Sequence, residues 1–75
     1  MNLIHRYREI LDKADCKGPA LPVIFNGSQG PRLIGYATTP ASVDGCLFEQ
    51  RLSATYISTA CLEGEPERRF FVAYG

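Results

Sequence analysis

An apolar stripe at the N-terminus constrains the fold most. Leu3, Ile4, Tyr7, Ile10, Leu11 and Ala14 recur at three- and four-residue steps. At 100° per residue they cover roughly 120° of one helix face. Asn2 can cap the first turn through its side-chain oxygen. On the polar face, Arg8–Asp12 and Glu9–Lys13 are opposite in charge and four apart, the spacing at which helical neighbours meet. Gly18 and Pro19 end the helix. A stripe of this kind needs an apolar surface to lie on, and the rest of the chain must supply it.

That surface reads as a sheet. Residues 21–25 and 32–38 are β-prone and flank Asn26-Gly27-Ser28-Gln29-Gly30-Pro31, a run dense in turn formers. They form a hairpin. Pro22 lacks a ladder donor, so the first strand is expected at an edge or to begin there. Gly35, inside the second strand, suggests a bulge or a close approach by another backbone. Residues 39–45 read as a loop. Residues 46–52 read as a strand, with a short helix capped by Asp44 as the alternative. Residues 55–62, the acidic turn Glu63-Gly64-Glu65-Pro66-Glu67 and the aromatic run 70–74 read as a second hairpin. The expected fold is α+β: one domain over residues 1–75, with the N-terminal helix packed on a three- or four-stranded antiparallel sheet.

Composition narrows the function classes. Eight Lys and Arg balance eight Asp and Glu, whereas nucleic-acid binders normally gain affinity by releasing counterions from a basic surface. No apolar run approaches the roughly 20 residues of a membrane-spanning helix. The opening MNLIHRYREI lacks the continuous apolar core of an export signal. Cys16, Cys46 and Cys61 make an odd count, which disfavours a closed disulfide framework. The chain is therefore expected to be reduced and cytoplasmic. Without export, the sequon Asn26-Gly27-Ser28 has no consequence.

Each catalytic constellation lacks a part. His5, the one histidine, lies roughly 100° outside the apolar stripe and reads as a surface residue. Cys16 has Lys17 beside it but follows the C-terminal end of the helix, where the dipole disfavours a thiolate. Cys46 and Cys61 sit in apolar strand contexts and read as small core hydrophobes. Three cysteines and a histidine reach the zinc number without a chelating C-x-x-C or H-x-x-x-H pair. The glycines of 26–31 lead into Pro31-Arg32-Leu33-Ile34, a strand, where a phosphate loop requires Lys, Ser/Thr and a helix. Glu63, Glu65 and Glu67 beside Arg68 and Arg69 read as a charge-balanced tip. No catalytic residue, cofactor or metal is expected.

What remains is a small neutral domain with aromatic strands. The expected function is a non-enzymatic protein-binding module, a stoichiometric inhibitor or regulator of a larger complex. Tyrosine and arginine dominate binding hot spots, so the candidate contacts are Tyr36, Tyr56, Arg69 and Tyr74. The alternative is a single-strand nucleic-acid binder that stacks bases on a basic and aromatic strand, Arg68-Arg69-Phe70-Phe71. One helix covers only part of such a sheet. A homodimer is therefore expected, closed over the apolar remainder and joined edge to edge through the strand 70–74.

Overall fold

In a computed structural model that describes residues 3–14 and 18–75, the chain runs α1 (Leu3–Lys13), β1 (Leu21–Gly27), β2 (Gly30–Ala37), α2 (Pro40–Glu49), β3 (Tyr56–Leu62) and β4 (Glu65–Tyr74). The proposed cap Asn2 and the thiol Cys16 lie outside the described residues. Both hairpins form where the turn residues place them: β1 pairs antiparallel with β2, and β3 with β4.

The sheet is mixed rather than antiparallel. Its order is β2-β1-β4-β3, and the two hairpins meet through a parallel pairing of β1 with β4, Val23↔Phe71 to Asn26↔Tyr74. β1 is thus a central strand despite Pro22. The β1–β4 ladder begins at Val23, so the missing donor of Pro22 falls just before it. Gly35 does mark a bulge. Val23 faces Gly35 and Ile24 faces Leu33, which leaves Ile34 as the extra residue.

The loop expected over 39–45 and the strand preferred over 46–52 are both replaced by α2. Thr39 holds the N-cap, its side chain accepting from the Ser42 N–H at 3.2 Å, and Pro40 opens the helix. The C-terminus closes as a Schellman motif. The Leu52 N–H donates to the Leu47 carbonyl at 2.9 Å and the Arg51 N–H to that of Phe48 at 3.1 Å. Arg51 occupies the left-handed position, φ 58°, where glycine is usual.

Two helices give two core layers. On one face Tyr7, Ile10 and Leu11 of α1 belong to a cluster with Ile24, Leu62, Phe70 and Val72; the Tyr7 and Phe70 rings are 5.5 Å apart and tilted by 59°. On the other, Val43 and Leu47 of α2 pack with Val23, Ala37, Phe71 and Ala73. Side chains alternate along a strand, so β4 sends Phe70 and Val72 to α1 and Phe71 and Ala73 to α2. The run 70–73 is buried from both sides, the reason it is apolar without interruption. It is not the exposed remainder expected of a one-helix fold. As an inner strand, β4 also has no free edge over 71–74 through which copies could join.

Ion pairs tie α1 to the second hairpin. Arg8 donates to Glu65, and Arg68 donates to Asp12 at 2.9 Å while lying 3.6 Å from Glu65. Arg8 and Asp12, expected to pair along the helix, both reach tertiary partners.

Candidate protein-binding edge

β2 and β3 are the outer strands, and they differ in how open they are. β2 (GPRLIGYA) carries Pro31, Arg32 and the bulge at Ile34. These devices blunt an edge, since they remove a donor, add charge and twist the ladder. β3 (YISTACL) is seven residues without charge or proline, and it pairs regularly with β4 from Tyr56↔Tyr74 to Cys61↔Arg69. Among the described residues no strand faces its other side. Backbone donors and acceptors along that side can pair with a further strand.

Tyr56 marks one end of this edge. It is 62% exposed, and its ring stacks on its register partner Tyr74 with centroids 5.8 Å apart and planes at 25°. Tyr74 in turn packs against the α1-side core. Thr55 pins the approach, its N–H and its hydroxyl both donating to the Tyr74 carbonyl, at 2.8 and 3.3 Å. The exposed ring is therefore held by an ordered neighbour, which lowers the entropy that a binding partner must overcome. Nearby, burial pushes the Tyr7 hydroxyl above its ordinary value, and Tyr74 adds to the shift. The Asn26 amide donating to Tyr7 at 3.2 Å acts the other way.

The four candidate contacts do not form one patch. Tyr56 and Tyr74 stand side by side. Tyr36 shares their face but lies on β2, at the opposite edge of the sheet. Arg69, one residue from the α1-facing Phe70, points to the α2 side. The residues that complete the edge are Ser58 and Thr59, which hot-spot chemistry does not single out. Their place is set by strand order, which no local pattern records.

The cysteines divide. Cys46 sits on α2 rather than in a strand and packs, partly buried, beside the α2-side core, with its thiol donating to the Tyr36 carbonyl at 3.5 Å. Burial pushes that thiol above its ordinary value, and Glu49 adds to the shift. Cys61 is exposed on β3 instead of acting as a core hydrophobe, because it lies at the end of the strand paired with exposed Arg69, whereas Ile57 on the same face pairs with buried Ala73. His5 is exposed, in keeping with its polar face.

Among the described residues no three His, Cys, Asp or Glu side chains gather as a metal site. Glu65 is held by Arg8 and Arg68 rather than turned to a cation. A cleft of about 590 Å³ at the end of α1 is lined in part by Leu11, Leu21 and Pro22, and there Arg68 and Asp12 meet each other. No described helix is long and apolar enough to cross a membrane. Comparison with protein-family models, curated proteins and solved structures finds no match.

Proposed function

We propose that this chain is a non-enzymatic protein-binding module that recruits another polypeptide to the β3 edge, as a stoichiometric inhibitor or regulator does. The carrying observation is the uncharged, proline-free strand Tyr56–Leu62 at the rim of the sheet, with the exposed Tyr56 ring stacked on Tyr74 at its end. Sheet extension draws affinity from main-chain hydrogen bonds and specificity from alternate side chains. Both are supported here, by the regular β3–β4 register and by the Tyr56 ring.

The base-stacking alternative gains no support from the geometry of its strand. Phe70 and Phe71 are 2% and 4% exposed and face opposite helices. Arg68 is engaged by Asp12 and Glu65.

The test is affinity capture with the wild-type chain, a Thr59→Lys chain and a Tyr56→Ala chain in parallel. Thr59 is exposed, so lysine there charges the edge without entering the core. A partner retained by the wild type and lost from both variants supports the reading. A partner retained equally by all three removes the β3 edge from it, and recovery of none from a chain that is also monomeric overturns it.

A further inference from the structure

We infer that the strand added to β3 is β3 of a second copy, antiparallel to the first about a two-fold axis at Thr59. The inference rests on the reading of β3 as the binding edge and goes beyond it by naming the occupant.

Register geometry carries the argument. An antiparallel two-fold through the centre of Tyr56–Leu62 places Thr59 opposite Thr59, Ser58 opposite Ala60, Ile57 opposite Cys61 and Tyr56 opposite Leu62. Every such pair joins residues of the same face, because opposite partners differ in number by an even count. Ser58 and Ala60 lie on the α1 side, and Ile57 and Cys61 on the α2 side. The faces of the two sheets therefore run on into each other, with each helix on its own side. The exposed Tyr56 ring stands diagonal to Ala60 of the second copy and opposite Leu62, whose own side chain is buried in the α1-side core.

Charge permits this contact and restricts others. No charged side chain lies within the paired strand. The first one beyond it, Glu63, meets Thr55 of the second copy rather than another acid. The chain's formal net charge is zero, so long-range repulsion between copies is weak. At the other edge, Pro31, Arg32 and the Ile34 bulge oppose the same pairing. A second copy also brings a strand that is already ordered, so it avoids the folding cost that a disordered segment pays on binding. The two four-stranded sheets would join as one of eight strands, through a self-complementary contact of the commonest oligomer symmetry.

The experiment is sedimentation equilibrium or light scattering on the intact chain from micromolar to millimolar concentration. Wild-type protein is expected to approach twice its 8.3 kDa mass. Thr59→Lys and Thr59→Glu each set like charges against themselves at the axis, and each is expected to weaken association by at least about tenfold. An equimolar mixture of the two is expected to recover the dimer, because the axis then pairs Lys with Glu. Circular dichroism checks that each variant is folded. A wild-type mass of 8.3 kDa at every concentration overturns the second copy as occupant. So does a dimer that persists in both variants, or a mixture that fails to restore association. If the wild type is monomeric while a heterologous partner is still lost with Thr59→Lys, the inference falls and the binding edge stands.

Discussion

Gly35 of β2 lies directly beneath Cys46 of α2: a Cβ added at position 35 would sit 2.9 Å from the Cys46 sulfur and 3.6 Å from its Cβ. The glycine lets α2 settle on the sheet beside the Ile34 bulge. The close approach anticipated at Gly35 thus comes from a helix side chain rather than a backbone.

Gly35→Ala is expected to destabilise the fold by about 1–3 kcal/mol, the usual cost of overpacking. In a Cys46→Ala background the cost should fall, because only the sulfur stands closer than ordinary contact. Urea melts of the two single variants and the double variant measure the coupling. Equal costs of Gly35→Ala in both backgrounds would refute the contact.

The ends of α2 offer opposite tests. Arg51 holds a left-handed conformation that costs an L-residue about 1 kcal/mol. Arg51→Gly should therefore raise the thermal midpoint. Thr39→Ala removes the oxygen that accepts the Ser42 N–H and should lower stability by about 1 kcal/mol. A calorimetric scan of both variants decides whether α2 is capped as described.

Acid stability should depend on Glu65. The hydrogen bond from Arg8 holds its carboxyl below the usual carboxylate value, with Arg68 adding to the effect. A carboxyl lowered in the folded state contributes stability that is fully present above its unfolded pKa, about 4.3. That stability is lost as pH falls through the lowered folded value. Glu65→Gln should be less stable than wild type at pH 7, and the two should converge as the pH drops below about 4. Urea midpoints measured from pH 7 to pH 2 give the comparison. A gap that stays constant over this range counts against the ion pair.

The two described cysteines should react at different rates. Cys61 is exposed on β3, whereas Cys46 is half-buried against Gly35 with its thiol pushed up. The thiolate is the reactive form, so iodoacetamide at pH 8 should label Cys61 well before Cys46, as peptide mass mapping would show. Faster labelling of Cys46 would mean that α2 lifts from the sheet.

Local pattern was enough for the elements whose periodicity or turn chemistry is written in adjacent residues. The stripe of α1 places Leu11 in the core and His5 in solvent. The turn residues of 26–31 and 63–67 place both hairpins. α2 escaped because its periodicity is blurred. Val43 and Leu47 turn inward, but Phe48, equally apolar, is 84% exposed, and Gly45 sits mid-helix. The Thr39-Pro40 start was the legible signal. The parallel seam between β1 and β4 depends on α2, because only a second helix on the far face makes a strand covered on both sides stable. The unbroken apolar run 70–73 is the trace that this burial leaves in the sequence. Whether a strand is inner or outer has no local trace of its own: β3 became the open edge because β4 was taken inside the sheet, between β1 and β3. That choice follows from which arrangement buries the most apolar surface, a property of the whole chain rather than of any segment.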